Sequence, residues 1–233
     1  MTIRDNQMNA NRLPTFICVG AMKSGTSSLH KYLDAHPEVC MSSSKETDFF
    51  LCRNTKSLEW YQECFESKAI AYGEVSPNYS KNPVFEGVPE AMHKLLPDIK
   101  LIYLVRDPID RAVSHYIHNW AKRRINNSID DVLIPPEDSW QVTTSRYYFQ
   151  LSQYLDYYPV ERILVVESER LRSERSRVLS EIFEFIGVSP NLKSNTLDQE
   201  YHKSANKRRP TSFAEFLTKS PVRQAVRDVG KSV

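Results

Sequence analysis

Nine consecutive residues near the start of the chain, Gly20-Ala21-Met22-Lys23-Ser24-Gly25-Thr26-Ser27-Ser28, are of the types needed to hold an anion. They follow an apolar run, Thr15–Gly20, and open a segment with helical spacing. In that setting the backbone N–H groups of the turn and of the first helical residues converge on one point, and the helix dipole adds positive potential there. The hydroxyls of Thr26, Ser27 and Ser28 can supply further donors. The glycine interval matches the phosphate loop G-x-x-x-x-G-K-[ST]. Here, however, Thr26 follows the second glycine, and the lysine lies inside the interval, at Lys23. An ammonium at that place neutralises a single phosphate and its substituent rather than a β/γ pair.

A second constellation is Arg106-Asp107-Pro108-Ile109-Asp110-Arg111-Ala112-Val113-Ser114. Arg106 ends the apolar run Lys100–Val105, at the carboxyl edge where α/β sheets bind ligands. Arg111 and Ser114 fall in the next two helical turns. A guanidinium with a nearby hydroxyl suits a terminal phosphate monoester. Two basic clusters, Lys122–Arg124 and Lys203–Arg209, are either solvated faces or local anion contacts.

These groups need elements to position them, and the pattern supplies an alternation of strands and helices. Strands are expected at Thr15–Gly20, Ala69–Gly73, Lys100–Val105 and Arg162–Val166. Helices are expected at Thr26–Ala35, Glu59–Phe65, Pro89–Leu96, from Pro108 to about Arg124, at Thr144–Tyr157 and at Glu174–Ile186, the last closed by Gly187. Ile125–Ser139 reads as a loop or insertion, Ser189–Pro210 as a loop, and a modest helix follows from Phe213. Near-continuous apolar strands such as KLIYLV fit a parallel sheet covered on both faces. The expected fold class is therefore α/β, with three or four parallel strands flanked by helices.

Composition narrows the class further. The 233 residues carry 31 Lys+Arg and 29 Asp+Glu, a net charge of +2, which speaks against a broad nucleic-acid surface. Only six residues are glycine, and collagen-like, low-complexity and disordered readings are excluded. No apolar stretch is long enough for a membrane helix, and Met1–Pro14 lacks the apolar core of a secretory signal, so a cytoplasmic location is expected. Cys18, Cys40, Cys52 and Cys64 show no C-x-x-C spacing and read as reduced structural thiols, with Cys18 buried in a strand.

With both anion constellations present, the sequence resembles sulfotransferases that use 3′-phosphoadenylyl sulfate (PAPS), in particular bacterial and carbohydrate enzymes related to heparan sulfate sulfotransferases. The resemblance runs from about Phe16 to Arg209. It implies a P-loop-NTPase-like three-layer fold, with a polar tail over 1–13 and a single domain over 14–233 whose C-terminal end reads as truncated. It implies that Lys23, Ser24, Gly25, Thr26, Ser27 and Ser28 bind the 5′-phosphosulfate. Arg106 and Ser114 would hold the 3′-phosphate, with Lys207 and Arg208 in a late basic loop. It also implies a base, Glu46 in Lys45-Glu46-Thr47-Asp48-Phe49-Phe50, with Asp48 as the fallback; no histidine sits in a matching context. Sulfuryl transfer would then be an in-line displacement onto a saccharide hydroxyl or amine. Lys23 would stabilise the leaving phosphate of 3′-phosphoadenosine 5′-phosphate (PAP) and Glu46 would take the acceptor proton, without a metal.

Two departures stand out. Gly73-Glu74-Val75-Ser76-Pro77-Asn78-Tyr79 resembles a family segment that often reads Glu-Lys-x-Pro-x-Tyr, and here Val75 stands in place of the lysine. No cysteine follows Cys64, so the late disulfide of heparan-type domains is absent. Tyr147, Tyr148 and Trp140 belong either to a sugar cleft or to the core. The competing readings are a P-loop small-molecule kinase, which would want lysine at position 26, and a degenerate nucleotide-binding relative without activity.

Overall fold

The computed structural model describes residues 12–51 and 55–190. Its centre is a parallel five-stranded sheet of β1 (Phe16–Gly20), β2 (Val39–Met41), β3 (Ala71–Val75), β4 (Lys100–Val105) and β5 (Ile163–Glu167), in the order β2-β3-β1-β4-β5. Period-two alternation explains why both faces are covered. Phe16 and Cys18 of β1, with Ile102 and Leu104 of β4, join one core cluster; Ile17, Val19, Leu101 and Tyr103 join the other.

The first cluster is closed by α1 (Thr26–Asp34), through Leu29, Tyr32 and Leu33, and by α9 (Arg175–Ile186), through Val178, Leu179, Ile182 and Phe183. The second takes residues from α2 (Leu58–Glu63), α3 (Val88–Leu95) and α7 (Tyr147–Leu155). Helices on both faces of a parallel sheet make the three-layer α/β fold expected. A smaller cluster, including Ala112, Tyr116, Leu133 and Val142, ties α4 (Pro108–Ala121) to α5 (Ile129–Leu133) and α6 (Trp140–Thr143). A 3₁₀ turn at Val160–Arg162 leads into β5, and α8 (Ser168–Ser173) follows it.

The sheet has one strand more than the largest number expected. β2 is only three residues long, too short for its apolar period to be visible, and its pairing with β3 defines it. β3 lies two residues later than Ala69–Gly73. Its register sets Gly73 opposite Phe16, where a Cβ would stand 2.0 Å from the Phe16 ring, so Gly73 makes room for an aromatic ring within the sheet. Within Ile125–Ser139 a helix forms after all: Ser128 and Asp131 make a capping box at the start of α5. The helix expected over Thr144–Tyr157 is shorter, Tyr147–Leu155, and a separate short helix precedes it. α6 ends at Thr143 and α7 begins at Tyr147, and the break leaves the Ser145 hydroxyl to bond Arg111 and the Pro108 carbonyl. α4 ends at Ala121, three residues short of Arg124, and Arg123 beyond it has φ +55°. Gly187 caps α9 in the left-handed conformation, as expected.

Candidate active site

The loop Gly20–Ser28 leaves the carboxyl end of β1 and enters α1. Gly20 passes so close to Ser80 that a Cβ would meet its Oγ at 2.0 Å, and Gly25 takes φ +95° as the N-cap of α1. Gly20 therefore has no room for a side chain, while Gly25 takes a backbone conformation that would strain one. Gly25 provides no side-chain cap and the first turn holds no acid, so no carboxylate within that turn offsets the dipole of α1. Several elements hold the loop. Ala21 N–H donates to Leu104 O at 2.7 Å, Arg111 Nη1 to Met22 O at 3.1 Å, and the buried Ser168 hydroxyl to Ser24 O. Lys23 has φ +74° and is partly exposed; Ser24 and Thr26 are buried, and Ser27 and Ser28 are half-buried.

β4 lies directly beside β1, so Arg106 emerges next to this loop at the same sheet edge. Its guanidinium pairs with Asp110 at 3.3 Å, while its backbone is clamped by Tyr147, whose hydroxyl accepts from Arg106 N and donates to Arg106 O at 2.8 Å. Asp107 caps α4 through the Asp110 N–H at 2.8 Å. Ser114 follows Asp110 by one turn on the same face of α4, half-buried. Arg106 is thus paired with a carboxylate that is itself exposed.

Across the sheet edge lies the carboxylate segment after β2. Glu46 is exposed and pairs with Lys45 at 2.7 Å. Asp48 is half-buried at φ +51° and accepts from Asn78 Nδ2 at 2.9 Å; burial pushes its carboxyl upward, the Asn78 bond opposing. The segment is pinned by Glu74 at the end of β3. Glu74 is fully buried and accepts a hydrogen bond from the Thr47 hydroxyl, and burial raises it to about 7. Tyr79 anchors the same segment, its hydroxyl accepting from Phe50 N at 3.3 Å. Between the two sides stand Lys81, which burial lowers to about 8, and His115, which burial and the Arg111 charge push down to about 2. The His115 Nδ1 accepts from Arg111 Nη1 at 3.1 Å, so this imidazole is neutral and occupied as an acceptor.

Residues 13–224 match the family model described as "Sulfotransferase domain". The chain belongs to the sulfotransferase family. It is 28% identical to the mouse bifunctional heparan sulfate N-deacetylase/N-sulfotransferase 3 over 86% of this chain, but spans only 25% of that protein's length. It is 32% identical to the human heparan sulfate glucosamine 3-O-sulfotransferase 5, covering 80% of this chain and 57% of that one. A sulfotransferase structure from Alicyclobacillus acidocaldarius superposes with a TM-score of 0.70 at 24% identity, covering 94% and 96% of the two chains, and shows the same fold.

In this sulfotransferase the loop from Lys23 to Ser28 and Arg106 follow neighbouring strands at one edge of the sheet, Ser114 lies in the second turn of α4, and Glu46 lies on the segment after β2. Lys207 and Arg208 lie outside the described residues. Sequence reasoning placed Arg111 only within the anion constellation after β4, yet it is fully buried and ties the glycine loop to Ser145, to the Gln141 carbonyl and to His115. Its phase on α4, among the buried Ala112, His115 and Tyr116, was the available signal. The aromatics divide. Tyr147 packs against the core, while Tyr148 is exposed and Trp140 partly so. Among the described residues, Cys18, Cys40 and Cys64 are free thiols, and no cluster of three or more His, Cys, Asp or Glu is placed to hold a metal.

Proposed function

We propose that this sulfotransferase moves the sulfuryl group of PAPS onto a hydroxyl or amine of a carbohydrate acceptor. The observation that carries the reading is the adjacency of β1 and β4. It sets an anion loop containing Lys23 beside Arg106, at the edge where the strand order reverses. The residues fit a ligand with two separated phosphate groups. The uncapped start of α1 with Lys23 and Thr26–Ser28 suits the phosphosulfate, and Arg106 with Ser114 suits the 3′-phosphate.

In the transfer the acceptor atom forms a bond to sulfur while the bond from sulfur to the 5′-phosphate oxygen breaks. The electron pair leaves on that oxygen, giving PAP, and the acceptor proton passes to Glu46. Lys23 and the loop N–H groups stabilise the growing charge on the leaving oxygen. Glu46, on the segment pinned by Glu74, receives the proton without losing contact with solvent. The likeness to heparan sulfate enzymes supports a saccharide acceptor.

The test is direct. PAP at about 100 times its Kd should stabilise the protein by about 2.7 kcal/mol, read as a rise in Tm, and ATP with magnesium should not. Labelled PAPS should then transfer its sulfur to members of a panel of desulfated glycosaminoglycan oligosaccharides. Stabilisation by ATP–magnesium in place of PAP would favour a kinase and overturn the reading.

A further inference from the structure

We propose that Lys81 is a second catalytic cation, acting on the sulfuryl group from the acceptor side, opposite Lys23. The inference rests on the sulfuryl-transfer reading above and concerns a residue that reading does not use.

Lys81 is 6% exposed, an unusual place for an ammonium. A buried charge is costly unless it is paired. No carboxylate lies within 4.0 Å of Lys81 among the described residues. Its hydrogen-bond acceptor there is the neutral Asn78 Oδ1, and its Nζ stands 5.9 Å from the centre of the Trp140 ring. An ammonium has three donors, so this cation is only partly satisfied and suits an anionic ligand.

Its position joins both halves of the site. On one side Asn78 bridges it to Asp48, since the same amide donates to Asp48 Oδ2. On the other, Trp140 packs edge-on against His115 at 4.6 Å, and His115 leads through Arg111 to the Met22 carbonyl of the glycine loop. The charged and titratable groups facing Lys81 are Glu46 and Asp48 from the segment after β2, Arg111 and His115 from α4, and Arg124 beyond α4. The field of Lys23 also reaches His115. Val75, where the family segment often has lysine, is fully buried in the apolar core and offers no cation. Lys81 supplies one from the turn that follows β3.

In the step itself Lys81 keeps its proton. Its N–H groups bind a non-bridging sulfuryl oxygen while sulfur passes from the phosphate oxygen to the acceptor, and the acceptor proton still goes to Glu46. Burial holds the Lys81 ammonium at about 8 in the free protein. The reaction should therefore lose kcat/KM as pH rises through that value.

Wild type, Lys81→Met and Lys81→Arg are compared for PAP binding by calorimetry and for turnover of labelled PAPS, onto de-N-sulfated heparin oligosaccharides and onto water. Lys81→Met should bind PAP within about threefold of wild type and lose about 10²-fold in both turnovers. Lys81→Arg keeps the charge at all working pH values, so the alkaline fall in kcat/KM should move upward or vanish. Full turnover by Lys81→Met, or an unchanged alkaline limb in Lys81→Arg, overturns the assignment. If Lys81→Met does not fold, the limb of Lys81→Arg decides. Wild-type protein that neither binds PAP nor consumes PAPS overturns the sulfuryl-transfer reading itself, and this assignment with it.

Discussion

In the proposed reaction Glu46 and Arg106 have distinct duties that substitution separates. Glu46 is exposed and its carboxylate pairs with Lys45, so replacing it should leave the fold and PAP binding untouched. Glu46→Gln is expected to lower kcat by about 10²–10⁴-fold with unchanged PAP affinity by calorimetry; full activity would move the proton to Asp48. Arg106 is assigned to binding in that proposal. A charge-assisted contact contributes about 1.5–3 kcal/mol, so Arg106→Ala should weaken PAP by about 10- to 100-fold. Its exchange of Asp110 for a phosphate reduces the net gain, which favours the lower figure. Lys23, inside the glycine interval, was legible from spacing alone. Lys81 was not, because a lysine reads as a solvated residue until packing shows it buried.

At the scale of elements, α4 does more than follow β4. Arg111, on its buried face, is the strut between this helix and the glycine loop, bonding Met22 O, Gln141 O, the Ser145 hydroxyl and His115. Arg111→Leu would leave those acceptors buried without a donor, at about 1–3 kcal/mol each before relaxation. A net loss of about 3 kcal/mol is expected, which lowers Tm by roughly 6–12 °C in a domain of this size. PAP affinity should fall with it as the loop loosens, and thermal melts with and without PAP would read both effects. Gly25 presents a second case. At φ +95° an alanine is strained by about 1–3 kcal/mol. A Cβ there would make only ordinary contacts, at 4.0 Å to Leu104 Cδ2 and Ser168 Oγ, so Gly25→Ala should cost stability without displacing neighbours, measured as a lower urea midpoint. The loop–helix unit was legible because its signals lie within a few residues of one another. β2, α5 and α6 were not, since each is five residues or shorter and is defined by pairing or capping.

At the scale of the whole molecule, the buried Glu74 links folding to pH. Burial raises it from 4.5 to about 7, so the folded chain holds its proton where the unfolded chain has released it. The stabilisation is complete below about pH 4.5 and is lost as pH rises through 7. Across that window wild type should lose up to about 3 kcal/mol through this group. Glu74→Gln, which stays neutral, should flatten the decline and melt above wild type at pH 8 relative to pH 5. An identical pH dependence in both proteins would show that Glu74 does not control it. Asp48, also raised by burial, contributes in the same direction and remains in the variant.

The amino-acid sequence by itself determined the glycine loop with its displaced lysine, the apolar strands β1 and β4, the helix faces of α1 and α9 and the cap at Gly187. These depend on interactions within a turn or on the period of one element, which one stretch of chain contains whole. The tertiary structure alone decided that β4 lies beside β1, which brings Arg106 to the loop across some eighty residues of chain. It also decided that Glu74, Lys81 and Arg111 are buried. Strand order follows from which apolar faces can be covered together, and the charge state of a buried group follows from how much water packing removes. Neither quantity is a property of any single segment.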